Sequence, residues 1–504
     1  MNILWYISPE VILVITALVV LGLDLLWRDK GAERLGWLTL AGFALAFVAT
    51  LALFIPGEQV AVFCNTCPIN FAGAALSQQP PDTLYVSDNF TNFFRILSLI
   101  AGIIITAGSF EYLKGRTRYR GEFFGLFVLA ILAMILMAGS TNLLMIYLST
   151  EFLSYVSYIL TGFLRENRKS NEASIKYFLY GAVTSATMLY GISLFYGATG
   201  SLDLLQVARG FNADNQYLAL FAAALALVGF GFKIALVPFH QWSPDAYEGA
   251  PTPVTTFLSV GPKAAGFAIL IRVFLTGIPE FQNSWGILLA VLSVLTMTVG
   301  NIIALSETNV KRLLAYSSIA QAGYMLIGLV GLNQGSTEWF AGINGVLLYL
   351  FAYLFTNIGA FLVVIAIENQ TGATDLSQYG GMIRRAPFLA GMLVFFFLSL
   401  AGIPPTAGFI GKFAVFASAL QAGQVLLAVI GVINSVISVF YYFRVIRPMF
   451  FEPALEGTPI RADAWLRAGV IIAGIMTLII SLYPTPFFNL ATASMAMFGV
   501  GAVR

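Results

Sequence analysis

Four ionisable side chains stand inside long apolar runs of this sequence: Glu151, Lys233, Lys263 and Lys412. The single histidine, His240, follows just past one of them. A lysine near the centre of a bilayer costs roughly 2.5–3.5 kcal/mol on insertion scales, so such groups are rare there and usually mark an ion or proton pathway. Lys233 lies in LVGFGFKIALVPFHQWSPDAYEGAPTP (227–253), where an apolar helix meets a lysine, breaks at Pro238 and opens into a polar loop. Such breaks are tolerated at membrane depth only where protein or a water-filled cavity surrounds them. Glu151, in NLLMIYLSTEFLSYVSYIL (142–160), is the obvious carboxylate partner for Lys233. A static pair locking two helices is the bland alternative to a functional one. Lys263, close behind Pro262 and between Gly261 and Gly266, is too central in its run to snorkel easily, whereas Arg272 near the end of the same run suits snorkelling. Lys412 follows the break at Pro404 and Pro405. A cation anchors a helix C-terminus well, but a lysine placed after the break fits that role poorly. His240 suits proton relay and, equally, a hydrogen-bonded junction between helix and loop. Lys176, Lys311 and Arg312 open apolar runs and read as solvated or interfacial anchors.

Other chemistry is missing. The sequence holds no Gly-rich phosphate loop, HExxH, GxSxG or Cys/His cluster, which argues against a nucleotide, flavin, metal or iron–sulfur site in this chain. Cys64 and Cys67 are the only cysteines, in a C-x-x-C spacing without further ligands nearby; a local disulfide and two incidental thiols both fit. Protonatable groups without a redox or phosphate site need energy from an ion gradient or a partner subunit.

The elements that must position these groups are membrane helices. Of 504 residues, 59% are hydrophobic and 10% charged, with mean hydropathy +0.86; soluble domains carry about 25% charged residues. The net charge of +2 and the scattered basic residues do not suggest nucleic acid. Residues 1–27 lack a basic start and a small-residue cleavage site, so the first helix is expected to stay. Runs long enough to cross a bilayer fall near 10–27, 35–55, 90–110, 122–139, 142–164, 173–197 and 216–238. Further runs fall near 253–275, 284–305, 309–331, 339–367, 388–421, 424–447 and 466–500, about fourteen in all. The runs 388–421 and 466–500 contain prolines and are expected to be broken. Lys and Arg concentrate in the loops after runs one, three, five, eleven and thirteen, with Arg209 the main exception. This bias predicts that those loops face the cytoplasm and both termini face outside.

Counted this way, runs four to eight and nine to thirteen form two five-helix blocks of opposite orientation. Each block's fourth helix carries a proline break and a lysine, with the short echo GFGFK and GFIGK. The expected class is therefore an all-α integral membrane protein with two inverted five-helix repeats, each with a broken helix. The expected division is an N-terminal three-helix segment (1–110), a first repeat (111–275), a second, inverted repeat (276–450) and a C-terminal helix (451–504).

Three stretches, PFHQWSPDAYEGAPTPVTTFLSVGPKAAGF (238–267), NVKRLLAYSSIAQAGYM (309–325) and AGIPPTAGFIGKFAVF (401–416), closely resemble the antiporter-like membrane subunits of respiratory complex I. The likeness runs over nearly the whole chain and is greatest to the N type (subunit 2). FLSVGPKAAGF lacks the histidine usual in L- and M-type chains, Lys412 stands where the M type has glutamate, and no long lateral helix follows run fourteen. The resemblance implies a subunit of NADH:quinone oxidoreductase that passes protons across the cell's inner (plasma) membrane. Glu151 and Lys233 would be its ion pair, Lys263 its central relay lysine and Lys412 its exit-side lysine. NADH, flavin, iron–sulfur clusters and quinone would belong to other subunits, and the partners would be the M- and L-type chains and the small K-, J- and A-type subunits in the bilayer. A subunit of a multi-subunit Na⁺/H⁺ antiporter is the nearest rival, and a non-transporting scaffold is a remoter one.

Overall fold

The computed structural model describes residues 3–27, 31–54, 60–62, 83–211, 213–332, 342–454, 459–495 and 498. Cys64 and Cys67 lie outside the described residues. Among the described residues, thirteen helices are long and apolar enough to cross a membrane. The expected fourteenth is the run 388–421, which folds as two half-helices, Pro387–Ala401 and Ala407–Gln421. The last run also breaks where its prolines stand, into Ala464–Leu482 and Thr485–Met495. The only sheet among the described residues is a pair of three-residue antiparallel strands, Val60–Val62 and Tyr85–Ser87.

Helix Ile343–Thr371 is the axis of the bundle: its apolar window is wholly buried, against 28% for the peripheral helix Ser8–Trp27. Thr252–Arg272 and Val310–Val330 lie almost as deep. Polar and charged side chains are what the lipid excludes, and Thr252–Arg272 and Val310–Val330 carry threonine, serine, glutamine and lysine along their length, so they lie inside while the more apolar Ser8–Trp27 lies at the periphery.

The two five-helix blocks share a local device. In the first, helix Leu143–Thr161 is capped by Asn142, whose side chain accepts from the Leu144 amide. In the second, Asn309 caps Val310–Val330 in the same way, accepting from Lys311 and Arg312. Each capped start then pairs with the segment that follows the third helix of its own block. Leu143 N–H donates to the Leu202 carbonyl at 2.8 Å and Leu204 N–H to Thr141 at 3.0 Å; Val310 N–H donates to Thr374 and Leu376 N–H to Thr308, both at 2.8 Å. The third helices end alike, in left-handed Gly200 (φ 69°) and Gly372 (φ 66°), where only glycine carries no steric penalty. Because five helices separate the copies, the two devices sit at opposite ends of the bundle.

The breaks in the fourth helices are wrapped in protein. Helix Gln216–Ile234 stops at Ala235, a non-glycine residue held at φ 58°. The Phe232 carbonyl, which takes the Ala235 N–H at 3.1 Å, also accepts the Trp242 indole N–H at 2.9 Å. A short helix, Trp242–Gly249, follows. In the second block, the carbonyl freed at Leu400 accepts from the Gln321 amide at 2.9 Å, and that at Ala401 from Ser435 Oγ at 3.1 Å. Each break contains one cis proline bond, Val237–Pro238 and Pro404–Pro405.

Two buried ion pairs in the first part of the chain went unread in the sequence. Arg95, fully buried, holds Glu10 at 2.7 Å and also Ser87 and Asn92. Arg272 does not snorkel. It is 1% exposed, its Nη2 grips both oxygens of Asp88 at 3.0 and 2.9 Å, and its Nε reaches the Ala138 carbonyl. The reason is the π-helical turn Val273–Gly277 beyond it, which keeps the chain inside the bundle where an exit to the interface was expected. Arg272 thus ties the first block to the start of helix Asn89–Leu113. Removing one partner of such a pair strands a buried charge and costs about 3–5 kcal/mol. Asp88→Ala is therefore expected to lower the thermal unfolding midpoint of the full chain in detergent strongly. The apolar double change Asp88→Ala with Arg272→Met should recover much of that loss, because it leaves no orphan charge.

Candidate functional site: a line of buried lysines

Lys233, near the end of helix Gln216–Ile234, is 1% exposed, and its ammonium donates to Ser154 Oγ at 2.7 Å. The expected contact with Glu151 is not made. Glu151 sits one helical turn before Ser154 on the same face of Leu143–Thr161, half-buried, and acts on Lys233 only through space. Gly266 lets the helices close here: a Cβ at that position would lie 2.4 Å from Ile234 and 3.2 Å from Lys233.

Lys263 is 2% exposed and donates to the backbone carbonyl of Ser318 at 2.6 Å. The same serine's hydroxyl meets the Tyr247 hydroxyl at 3.3 Å, and Asn357 donates to Ser259 Oγ at 2.6 Å one turn along the lysine's helix. His240 lies within the first break, partly buried, in electrostatic range of Lys263. Its Nδ1 is buried without a hydrogen-bond partner.

Lys412 is 3% exposed and donates to Ser435 Oγ at 2.6 Å and to the Ala401 carbonyl at 3.0 Å, with its ammonium 4.5 Å from the centre of the Tyr324 ring. Ala401 closes the first half-helix, so this lysine does sit on a helix C-terminus, contrary to the reading of its position after the break. The five-residue break turns the second half-helix back, and Gly402, at φ 86°, leaves room for the lysine stem, which a Cβ would meet at 2.8 Å.

Helix Val310–Val330 joins these groups. Ser318 touches Lys263, and Tyr324, six residues on or ~9 Å along the axis, faces Lys412. Between them Gln321 accepts from the Tyr349 hydroxyl, and Ser317, next to Ser318, meets the Tyr442 hydroxyl at 2.5 Å. Ser318 stands nine residues after its capping asparagine, as Glu151 does after Asn142, and Gln321 matches Ser154 in the same way. The second block therefore carries a serine where the first carries its carboxylate. These serines, tyrosines and amides escaped the sequence reading because single hydroxyls in apolar helices are common; their spacing from the two asparagines was the signal available.

Lys311 also departs from its expected role as an interfacial anchor. It is 3% exposed, and its ammonium closes on the Ala250 carbonyl at 2.8 Å, at the C-terminus of Trp242–Gly249. Arg312, by contrast, pairs with Asp245 at 2.6 Å and Glu248 at 3.2 Å, and these carboxylates also bind Lys176 and Lys169, both at 2.9 Å. The short helix beyond the first break is thus clamped between helices Arg168–Thr199 and Val310–Val330.

Burial alone would raise the carboxyl pKa of Asp245 and Glu248. The hydrogen bonds and charges of Lys176 and Arg312 on one, and of Lys169 and Arg312 on the other, hold both below the usual carboxylate range. A folded value below the unfolded one means stability that is present above the unfolded pKa, about 4, and lost as pH falls through the folded pKa. The full chain in detergent is expected to lose thermal stability on acidification through and below about pH 4. An Asp245→Asn, Glu248→Gln variant, less stable at neutral pH, should show a smaller drop over that range.

Comparison with known proteins agrees with this architecture. Residues 140–438, which take in four helices of the first block and most of the second, match the family profile described as NADH:quinone oxidoreductase/Mrp antiporter, transmembrane. NADH-quinone oxidoreductase subunit N of Desulfitobacterium hafniense is 42% identical over 423 residues, 81% of this chain and 85% of that one. Subunit N 2 of Symbiobacterium thermophilum is 39% identical over 513 residues, 97% of this chain and 96% of that one. A chain of respiratory complex I from Thermus thermophilus is 34% identical with a TM-score of 0.76, covering 96% of this chain and 99% of that one. A chain of the Mrp complex from Dietzia, at 22% identity and a TM-score of 0.82, shares the fold. With more than half of the chain matched and relatives aligned along most of their length, the chain belongs to the antiporter-like transmembrane family of NADH:quinone oxidoreductase and Mrp complexes, as a subunit of the N type.

Proposed function

We propose that this chain carries protons through the membrane arm of an NADH:quinone oxidoreductase by a relay of Glu151, Lys233, Lys263 and Lys412, with His240 beside the central lysine. One observation carries this reading. The three relay lysines are buried, yet the groups they touch are neutral: Ser154, the Ser318 carbonyl, and Ser435 with the Ala401 carbonyl. The fully buried arginines, Arg95 and Arg272, are held by carboxylates. A guanidinium cannot release its proton, whereas an amine beside a neutral acceptor can gain or lose one without stranding a buried counter-charge. Glu151, near Lys233 but not locked to it, would bias that site; each change of charge would then act on the next lysine through a low-dielectric interior.

The division into a three-helix segment (1–110), two five-helix repeats (111–275 and 276–450) and a C-terminal helix (451–504) follows the same reading. NADH, flavin, iron–sulfur clusters and quinone would act in other subunits, with M- and L-type and the small K-, J- and A-type chains as neighbours. The chain would lie in the inner membrane with both termini outside. In support, the loops after the third and thirteenth spans meet the end of the eleventh span on one face, where Arg116 bonds Asn369 at 2.6 Å and Gln370 bonds the Arg461 carbonyl. The basic residues of these loops would then face the cytoplasm. Relatives at 39–42% identity named as NADH-quinone oxidoreductase subunits favour this reading over a Na⁺/H⁺ antiporter subunit.

In the assembled enzyme, Lys233→Ala, Glu151→Ala or Lys263→Ala should reduce proton pumping together with quinone-linked NADH oxidation. NADH oxidation with an artificial acceptor should stay nearly unchanged, since the proposed role affects electron flow only through coupling. Lys263→Arg should rescue poorly. The measurement is the proton-to-electron ratio in reconstituted vesicles, with assembly checked by the amount of intact complex and the assay repeated without sodium. Full pumping by an assembled Lys233→Ala, Lys263→Ala double variant would make these lysines structural.

A further inference from the structure

The loop after helix Asn89–Leu113 and the loop after Leu143–Thr161 enclose a cleft of about 1130 Å³. Arg116, Arg118, Arg120, Arg165 and Arg168 line it, with Glu166 the only acidic residue among the lining side chains. Two further carboxylates stand nearby, Glu122 in the adjoining groove and Asp24 beside Gly121, so the arginines still outnumber the acids. Arg118 and Arg165 both place their guanidinium 4.8 Å from the centre of one ring, that of Tyr119, which brings two like charges together. The Arg165–Glu122 pair is long, 3.5 Å, and largely solvent-exposed, so it neutralises little. Arg120 Nε is buried with no hydrogen-bond partner.

A second groove, of about 440 Å³, shares Phe163 and Arg165 with the cleft. It runs down between three membrane spans and is walled by Leu126, Ile159 and Ile175, of which Ile159 and Ile175 are more than half exposed. The two spaces together have the form of an amphiphile: a strongly basic head space at the ends of membrane helices, continuous with an apolar slot that faces the lipid. Guanidinium groups match the oxygens of a phosphodiester with charge-assisted hydrogen bonds, and basic pockets between membrane helices favour anionic lipid headgroups. We propose that this cleft and groove form a binding site for one anionic phospholipid, its phosphodiester held by Arg118, Arg120 and Arg165 and an acyl chain lying along Leu126, Ile159 and Ile175. The site is independent of the lysine relay, and its failure would leave that reading untouched.

The test uses the full chain, delipidated in neutral detergent and titrated with phosphatidylglycerol, phosphatidylcholine or inorganic phosphate, with the thermal unfolding midpoint and native mass spectrometry as readouts. Phosphatidylglycerol should raise the midpoint and give a one-to-one adduct, phosphatidylcholine and inorganic phosphate should do neither, and Arg118→Gln with Arg165→Gln should weaken the adduct about tenfold or more. Ile159→Ser, in the lipid-facing groove, should weaken it without any change of charge. Should the double variant fail to fold, the single exposed change Arg168→Gln, with Arg168→Lys as its control, keeps the question open to measurement. An equal response to inorganic phosphate would make the cleft a bare anion site and overturn the proposal, as would an undiminished adduct in the folded variants. Cross-linking of the cleft in the assembled enzyme to an acidic segment of another subunit, with no lipid retained, would overturn it too.

Discussion

Every buried cation in this protein has been taken out of water, and the rest of the structure depends on how that loss is made good. A charge in a low-dielectric interior needs a partner or it does not stay a charge. Two solutions coexist a short distance apart. Arg95 and Arg272 are fixed by Glu10 and Asp88, and these contacts fasten the first three helices to the body of the bundle. Lys233, Lys263 and Lys412 are given hydroxyls and carbonyls, which accept a hydrogen bond and bring no full charge of their own. The first arrangement holds helices together; the second, on the function proposed above, leaves the protonation state free to change.

Neutral acceptors at membrane depth are scarce, because a regular helix consumes its own carbonyls. The breaks supply them. At Ala401 the interrupted helix exposes a carbonyl to Lys412, and at Ala250 the end of the short helix exposes one to Lys311. The hydroxyls of Ser154 and Ser435 serve Lys233 and Lys412, and Lys263 shares the Ser318 carbonyl of an unbroken helix. Glycine makes the geometry feasible at two points. Gly266 allows the helix of Lys263 to press against that of Lys233, and Gly402 takes the left-handed turn under the Lys412 stem.

The repeat explains both the likeness and the difference between the two blocks. The paired asparagine caps, the crossed backbone bonds and the left-handed glycines recur at the two ends of the bundle, so each broken helix is seated by equivalent neighbours. Yet the second block has Ser318 where the first has Glu151, and its lysine lies after the break, not before it. Helix Val310–Val330 consequently serves both blocks, touching Lys263 of the first through Ser318 and Lys412 of the second through Tyr324.

Much of this was legible in the residues alone. Apolar runs of span length, prolines within them and lysines beside the prolines are local properties, and they located the helices, the broken fourth helices and the buried amines without reference to any neighbour. Partners were another matter, since they depend on which faces meet. From sequence Glu151 was the natural mate of Lys233, but the rise of one helical turn puts Ser154 in its place. Lys412, placed after its break and not before one, read as a poor fit to a helix C-terminus, until the turn at Gly402 folded it back. Arg272 and Lys311, both near the ends of apolar runs, read as interfacial; the π-helical turn after one and the short helix packed over the other keep them buried. Sequence set where charge enters the membrane, because hydrophobicity is summed residue by residue. Only the tertiary structure decided what each charge touches, because a hydrogen bond requires two helices to meet at one depth and on one face.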